Sequence, residues 1–370
     1  MKSLHILHSE SATGWGGQEI RIFQESQLLL ERGHRVSLVC QPTSYLYKKS
    51  LAISSPSFNC YPLLMKSTAN PFSIVSIFKI LKKTKADIIH THSSIDSWLV
   101  GSVAKLSQIP VIRSRHISIP INNMFPNNLL YSRIPRKIIT SGEAISEVVK
   151  SVPGVNPGNV KSVSAGVDFR RFDFKINGIK IREELGVNPG QTLIGKIGVI
   201  RGWKGYNYLL EAAPIILKKF PDARFVFVGN GPGFEQTKSI AKSLGLEQKL
   251  TFLGHRDDIP EIMAGLDIQV LASFAGEGTP QVIPQAFAMK TPLVATRVGS
   301  IPEMLGQGKR GILVEPKNSV DLANGIINLI ENPGIRNELA EKGYEFCRNE
   351  LGVDRMIDET ITIYEEALKY

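Results

Sequence analysis

The sequence predicts an α/β protein with two parallel, doubly wound sheets. Its first half alternates short apolar runs with amphipathic stretches, the same alternation begins again after about residue 190, and 370 residues suffice for two domains. Strands separated by helices form parallel sheets with helices on both faces. We therefore expect an N-terminal domain over residues 1–170 and a C-terminal domain over 171–345. The final helical segment, 346–370, is expected to return to the first domain.

In the first half, short apolar runs mark the strands and a helical spacing of apolar residues marks the helices. Ile20, Phe23 and Leu30 form such a stripe in the first helix. The stretches 42–70 and 117–128 lack either pattern and are expected to be loops. The predicted strands are 4–8, 35–40, 86–90, 110–114 and 137–141, and the helices are 18–32 and 73–83.

The second half repeats this order. Ligands of such sheets bind beyond the carboxyl ends of the strands, and with two such domains the cleft between them is the expected site. The predicted strands are 193–199, 224–229, 250–253, 268–272 and 292–296. The predicted helices are 206–219, 234–244, 260–264, 280–288, 320–331 and 338–370.

The lengths of the apolar runs and the spacing of the cysteines indicate the compartment in which the protein works. No apolar run reaches the roughly 18 residues that cross a bilayer, and the apolar stretch 4–7 is too short for the core of a signal peptide. Cys40, Cys60 and Cys347 are far apart, which argues against a metal-ligand spacing and predicts reduced thiols. We therefore expect a cytoplasmic protein.

The net charge of +10 is concentrated in residues 1–170, whereas the rest of the chain is close to neutral. Such a domain suggests an anionic partner: a lipid surface, a phosphorylated glycan or nucleic acid. A solubilising surface without a partner is the alternative. Nucleic acid is disfavoured because no nucleic-acid motif accompanies the charge. The basic amphipathic stretch 72–85 is expected to pack on the sheet, with its lysines able to meet anionic lipid head groups.

The stretch 273–303 carries most of the chemical information, reading SFAGEGTPQVIPQAFAMKTPLVATRVGSIPE. It begins where a predicted strand ends, and a glycine turn at 277–279 leads to Pro280, which is tolerated at the start of a helix. Glycine lets the backbone approach a ligand closely, and N–H groups in the first turn of a helix bind anions. This arrangement indicates a ligand-binding turn.

The same stretch resembles the donor-binding segment of the retaining nucleotide-sugar glycosyltransferases of family 4, which have two facing Rossmann-like domains (the GT-B fold). That family has Glu, seven residues and a second Glu, then a Pro-Val-Val-Ala-Thr-like strand. This chain has Glu277, then Gln285, then PLVAT at 292–296. The resemblance implies that Glu277 lies by the donor sugar. It also implies that the donor diphosphate meets the backbone of Gly278, Thr279 and Pro280.

Gln285 departs from the family pattern, because the family's second Glu binds the ribose hydroxyls. A glutamine amide can still donate and accept hydrogen bonds there. The segment 198–205 resembles the family's Arg/Lys loop, which implies that Arg201 and Lys204 clamp the diphosphate and neutralise its developing charge. The alternative for both is ordinary surface charge.

Weaker similarities supply the remaining candidates. Segment 252–257 resembles the loop that cradles the nucleotide base, which implies contacts from the ribose or base to Gly254, His255 and Arg256, and Gly231 fits the family's glycine turn. In the first half, the resemblance implies that the glycines of segment 14–19 face the phosphates and that His116 contacts the donor sugar, the alternative being a structural loop histidine. Those glycines are Gly16 and Gly17. The segment lacks the dinucleotide-binding fingerprint, which counts against a nicotinamide cofactor.

The resemblance implies retaining transfer of a hexosyl-type sugar from a UDP- or GDP-sugar to a glycan or lipid-linked acceptor in envelope polysaccharide or lipopolysaccharide synthesis. The acceptor hydroxyl would attack from the front face, with the leaving phosphate helping to take its proton. The chain has no Asp-x-Asp motif, so no metal and no cofactor are expected. The loops 42–70 and 117–128 are expected to meet the acceptor, and the enzyme to work at the inner face of the cell membrane.

Three other functions remain open. A sugar-nucleotide epimerase and a phosphorylase share the two-domain plan, although the cofactor lysine of a phosphorylase is not identifiable and epimerases lack the Glu277-type segment. A catalytically silent sugar-nucleotide binding protein is the third, and Gln285 keeps it open.

Overall fold

The structure, a computed structural model, describes residues 3–68, 70–122 and 125–369. The chain divides into two compact units. The first comprises residues 1–164 together with 354–370, and the second comprises 165–353. Each unit contains one parallel sheet with flanking helices, which confirms the predicted fold class. The division falls between Ser164 and Ala165, slightly before the boundary expected from the sequence.

The first unit is built on a seven-stranded parallel sheet with the order β3-β2-β1-β4-β5-β6-β7. Its strands are β1 (His5–Glu10), β2 (Arg35–Cys40), β3 (Phe58–Pro62), β4 (Ile88–Thr91), β5 (Val111–Arg115), β6 (Lys137–Thr140) and β7 (Val160–Ser162). The helices between them are α1 (Gly17–Glu31), α2 (Tyr45–Ser50), α3 (Pro71–Thr84), α4 (Ser94–Asp96), α5 (Ser102–Leu106), α6 (Leu129–Ser132) and α7 (Glu143–Lys150). The strand order reverses between β1 and β4, which is where ligands of doubly wound sheets bind.

The second unit has a six-stranded parallel sheet with the order β10-β9-β8-β11-β12-β13. Its strands are β8 (Leu193–Ile197), β9 (Arg224–Val228), β10 (Leu250–Gly254), β11 (Ile268–Leu271), β12 (Leu293–Thr296) and β13 (Ile312–Val314). Its helices are α8 (Ile179–Glu184), α9 (Tyr206–Lys219), α10 (Phe234–Ser243), α11 (Ile259–Gly265), α12 (Val282–Ala288), α13 (Ile301–Met304), α14 (Ser319–Glu331) and α15 (Pro333–Glu350). The corresponding reversal lies between β8 and β11.

The C-terminal segment forms two helices, α15 and α16 (Val353–Leu368), rather than the one continuous stretch that the sequence predicts. Between them Val167 bridges to Gly352 and accepts a backbone hydrogen bond from Val353 N. This backbone pairing interrupts the helix. Almost all of α16 belongs to the first unit, where Tyr364 is fully buried.

The segment 42–70 is not the loop expected from the sequence, because it contains α2 and β3. Strand β3 pairs with β2 at the edge of the first sheet and is only partly buried. An edge strand needs no regular apolar alternation, and this explains why its sequence gives no clear pattern. The short edge strands β7 and β13 escaped prediction for the same reason.

Each sheet is clamped between apolar layers that make it a rigid platform. In the first unit Leu7, Ile89 and Val111 are buried among helices. In the second, Ile194 and Val270 occupy the same kind of position. Each fully buried aliphatic side chain stabilises the fold by about 1.5–3 kcal/mol. The loops at the carboxyl ends of the strands therefore start from fixed positions.

Within the described residues, we find no helix whose length and hydropathy would let it cross a membrane.

Candidate functional site

Lys204 and Glu277 form an ion pair at the carboxyl edge of the second sheet. A 3₁₀ turn after β8 carries the lysine, and the loop after β11 carries the glutamate. Because β8 and β11 are neighbours, these two loops meet, and Lys204 Nζ lies 2.6 Å from Glu277 Oε1. Ser273 Oγ donates to the same oxygen at 2.5 Å. Both charged residues are among those predicted from the sequence, whereas their direct contact is not.

Backbone contacts clamp the two loops together. Gly205, directly after Lys204, has a φ of +66°, and a Cβ there would lie only 1.9 Å from the carbonyl oxygen of Ala272. Only glycine allows so close an approach. Phe274 N also donates to Trp203 O at 2.9 Å. The position of Lys204 relative to Glu277 is therefore set by the backbone and not only by the ion pair.

Arg201 lies on the same loop, with its guanidinium 4.9 Å from the centre of the Trp203 ring. Stacking on an indole stabilises a guanidinium through its positive charge. The Nε of Arg201 is buried and has no hydrogen-bond partner among the described residues. A buried donor without a partner is rare in folded proteins. Arg201 and Lys204 thus offer two cationic donors, the arrangement that diphosphate groups favour.

Lys196 is a further charged residue of this region and is not among the residues predicted from the sequence. It lies on β8, is buried, and places its ammonium 4.6 Å from the centre of the Tyr206 ring. Burial lowers the pKa of Lys196 to about 7; the charge of Lys204 acts in the same direction, and that of Glu277 opposes it. A lysine inside the apolar strand sequence LIGKI was the available clue.

The helix that follows Glu277 begins later than predicted. It starts at Val282 instead of Pro280, because Ile283 N first closes a tight turn onto Pro280 O. Gly278, Thr279 and Pro280 therefore lie before the helix and are buried. Gln285 lies within the helix and is partly buried. Glu277 thus lies in the loop before the helix that carries Gln285.

The glycine turn after β9 packs against the loop after β8. A Cβ on Gly231 would lie 2.3 Å from the carbonyl oxygen of Ile200. Ile200 N in turn donates to Asn230 O at 3.0 Å. Gly231 therefore has a structural reason to be glycine, independent of any ligand.

The loop after β10 turns at Gly254, whose φ is +66°. The Arg256 side chain is engaged by Glu184 and Asp258, each 2.6 Å away, and these bonds raise its pKa. His255 is exposed and lies 3.7 Å from Asp257. The Arg256 guanidinium is thus already paired with carboxylates, and the contact of this loop with a base stays a prediction.

In the first unit, Gly16 and Gly17 follow β1 and begin α1. The Gly16 N–H donates to the Glu19 carboxylate at 2.8 Å, so this donor already has a partner. His116 comes directly after β5, and its Nε2 lies 3.2 Å from His92 Nδ1. Burial, and then the charges of Arg21, Arg115 and Arg113, lower the pKa of His116 well below its ordinary value.

Two protein-family models match this chain. Residues 178–346 match the family model for glycosyl transferases group 1, and residues 15–171 match that for glycosyltransferase family 4. The N-acetyl-alpha-D-glucosaminyl L-malate synthase of Bacillus anthracis is 23% identical, over 96% of this chain and 95% of the relative. The UDP-Gal:alpha-D-GlcNAc-diphosphoundecaprenol alpha-1,3-galactosyltransferase of Escherichia coli is 26% identical, over 95% and 94%.

Solved structures share the fold. A glycosyltransferase from Rickettsia africae superposes with a TM-score of 0.88 at 23% identity, covering 100% of both chains. The Anabaena protein HepE, crystallised with UDP, gives a TM-score of 0.85 at 20% identity, covering 98% of this chain and 100% of its own. These neighbours identify the GT-B fold, and together the two family models match nearly the whole chain. The chain therefore belongs to the group 1 glycosyltransferases of family 4.

Proposed function

We propose that this glycosyltransferase transfers a hexosyl-type sugar, with retention of anomeric configuration, from a UDP- or GDP-sugar to a glycan or lipid-linked acceptor. The observation that carries the proposal is the Lys204–Glu277 pair at the strand reversal of the second sheet. UDP is the favoured nucleotide because HepE, which has the same fold, was crystallised with it. The name of the E. coli relative includes a diphosphoundecaprenol-linked acceptor, which supports a role in envelope polysaccharide synthesis.

In this proposal the ion pair is the resting form of the donor site. A diphosphate oxygen takes the place of Glu277 as the partner of Lys204, with Arg201 as a second donor on the same loop. Glu277, released from the lysine, then accepts hydrogen bonds from the sugar hydroxyls. The backbone of Gly278, Thr279 and Pro280 lies next to it and completes the site.

The chemistry follows from these positions. The acceptor hydroxyl attacks the anomeric carbon on the face from which the diphosphate leaves. The bond from carbon to the diphosphate oxygen breaks, and the leaving phosphate takes the hydroxyl proton. Lys204 and Arg201 stabilise the charge that develops on the diphosphate. Since these two cations supply the electrostatic stabilisation, no metal is required, and turnover is expected to persist in EDTA. The phosphate contact of Gly17 and the ribose and base contacts of Gln285 and Gly254 stay predictions.

A donor panel tests the proposal. Purified protein is incubated with UDP-, GDP- and ADP-sugars, and both thermal shift and release of nucleoside diphosphate are measured. We expect a UDP-sugar to raise the melting temperature and to be turned over. Binding without any turnover, with acceptor mixtures supplied, would favour a silent sugar-nucleotide binding protein. If no nucleotide sugar binds, the donor assignment is wrong.

We further propose that α3 rests on an anionic membrane surface. Its buried face, including Ile77 and Leu81, packs on the sheet as predicted. The opposite face is unusual, because Phe72 is 84% exposed and Phe78 is 44% exposed. Exposed lysines accompany these side chains: Lys79, Lys82 and Lys83. Aromatic side chains beside lysines suit the interface of an anionic bilayer, where a glycan acceptor carried on a lipid would be found.

Vesicle sedimentation tests this surface with phosphatidylcholine vesicles that contain or lack phosphatidylglycerol. Binding is expected only with the anionic lipid and should weaken with salt. Replacing both Phe72 and Phe78 by Ser should weaken binding at least about tenfold, because each buried aromatic contributes more than about 1 kcal/mol. Val320→Ser, at an exposed apolar position of the second unit, is the control. Equal binding by the double variant would exclude α3 as the contact.

A further inference from the structure

Four histidines meet at the strand reversal of the first sheet. His8 on β1 and His90 on β4 are register partners, His92 follows β4, and His116 follows β5. His8, His90 and His92 are buried, and His116 is partly buried. The ring centres of His90 and His92 are 4.1 Å apart, and those of His92 and His116 are 5.5 Å apart. Of the four, only His116 is among the site residues predicted from the sequence.

These imidazoles are neutral. Burial lowers the pKa of His8 to about 3 and those of His90 and His92 well below their ordinary values. The guanidinium of Arg21 acts on both His90 and His92 in the same direction. A neutral imidazole has one N–H donor and one lone pair, so its two nitrogens must play different roles.

Three of the rings form a hydrogen-bonded chain. His8 Nδ1 lies 3.0 Å from His92 Nε2, and His92 Nδ1 lies 3.2 Å from His116 Nε2. Because each ring has a single proton, both bonds must point the same way along the chain. The direction is decided at the buried end, where His8 Nε2 has no partner among the described residues.

In a protein interior, a buried N–H donor without a hydrogen-bond partner is rarer than a buried acceptor without one. The proton of His8 therefore resides on Nδ1 and is donated to His92. His92 then donates from its own Nδ1 to His116 Nε2. This leaves the proton of His116 on Nδ1, which is the tautomer that free histidine favours less.

We propose that His8 and His92 are positioning residues that hold His116 as a neutral Nδ1–H donor. His116 Nε2 accepts from His92, so the ring can only donate with its other nitrogen. This role rests on the function proposed above, in which that donor would serve a hydroxyl or phosphate oxygen of the nucleotide sugar. A neutral donor can orient such an oxygen without taking its proton.

A buried metal centre is the rival for the same cluster. His8, His90, His92 and Glu25 each offer a ligand atom, and these atoms lie within 4.8 Å of one another. Three contacts oppose it. Arg21 holds Glu25 at 2.7 Å, where its charge would repel a dication. Both nitrogens of His90 are engaged, by Tyr364 at 2.7 Å and Ser114 at 2.8 Å. The contacts thus favour hydrogen bonding.

The test is a long-range ¹H–¹⁵N spectrum of the full chain labelled with ¹⁵N-histidine, at pH 7.5. Seven histidines are present, and single substitutions assign them. We expect His8, His92 and His116 each to show a protonated Nδ1 and a bare Nε2. His92→Phe, which keeps the ring volume, should return His116 toward the Nε2–H form. His34 is buried but is not one of the hydrogen-bonded histidines, so His34→Gln should leave the tautomer of His116 unchanged.

Activity supplies a second readout. His92→Phe should lower kcat at least about tenfold with little change in KM for the donor, as expected for loss of a group that fixes a tautomer. An Nε2–H or doubly protonated His116 in the unmodified chain would overturn the proposal. So would stoichiometric Zn²⁺ binding that shifts His8 and His92. If the spectrum shows the expected tautomers but no donor is turned over, the proposed function fails and the histidine chain stands.

Discussion

The two sheets carry ionisable side chains at the same topological position, but in opposite states. Between β1 and β4 the first sheet has buried histidines, which desolvation keeps neutral. Between β8 and β11 the second sheet has a lysine and a glutamate in direct contact, with the lysine side chain 24% exposed. Neutral buried groups can fix hydrogen-bond direction, whereas an accessible ion pair can exchange one partner for a charged ligand.

This contrast predicts that substitutions at the Lys204–Glu277 pair lower turnover most. Glu277→Gln keeps the shape of the side chain but removes its negative charge. In the proposed function that carboxylate balances Lys204 and accepts hydrogen bonds from the donor sugar. Turnover should fall by roughly 10² to 10³, the usual effect of removing one preorganised electrostatic group. Release of nucleoside diphosphate is the measurement. Glu261→Gln, at an exposed glutamate of α11, is the matched control and should remain active within a few-fold.

Gly205→Ala changes the geometry around the Lys204–Glu277 pair without changing any charge. The new Cβ would collide with Ala272 O, and the φ of +66° disfavours any side chain. We expect a loss of stability on the order of 2 kcal/mol and a fall in turnover of roughly 10², since small displacements at a site can have that effect. Gly202→Ala lies on the same loop with open space around it.

Urea unfolding and diphosphate release are measured on both glycine variants. The Gly202 variant should behave like the unmodified chain. Equal behaviour of the two variants would show that the close contact with Ala272 does not position Lys204.

Lys196, buried on β8, is expected to change the pH dependence of stability rather than turnover. Its pKa is about 7 in the folded chain against an ordinary 10.5. Between these values the unfolded chain binds more protons, so this lysine makes the protein less stable as pH falls from about 10.5 to 7. Lys196→Met removes that dependence. Its stability advantage over the unmodified chain should grow by up to about 1.4 kcal/mol per pH unit as pH falls across this window, and level off below it.

Urea unfolding at several pH values between 7 and 10 measures the difference. Lys218→Met, at an exposed lysine of α9, should show no such trend. A stability gap that does not change with pH would mean that Lys196 stays charged in the folded protein.

The sequence named the two residues that meet at the second sheet, but only one of the four histidines that meet at the first. Lys204 and Glu277 lie in short contiguous segments that resemble a known family, whereas their roles toward a donor stay predictions. The histidine chain joins His8 on β1 to residues that follow β4 and β5, and Tyr364 of the C-terminal helix bonds the neighbouring His90. Only strand order brings these residues together, and the strand order was not derivable from spacing. The late start of α12 depends on one turn bond at Pro280, which propensity does not reveal.

The most direct test of the donor site is the affinity for UDP of two variants, each lacking one side of the ion pair. Isothermal titration should show that Lys204→Ala weakens binding by roughly tenfold or more, the loss expected for a charged hydrogen bond. Glu277→Gln should bind UDP as tightly as the unmodified chain or more tightly, because Lys204 no longer has to leave a carboxylate. Equal weakening by both substitutions would show that the pair is a structural ion pair and would contradict the proposed site.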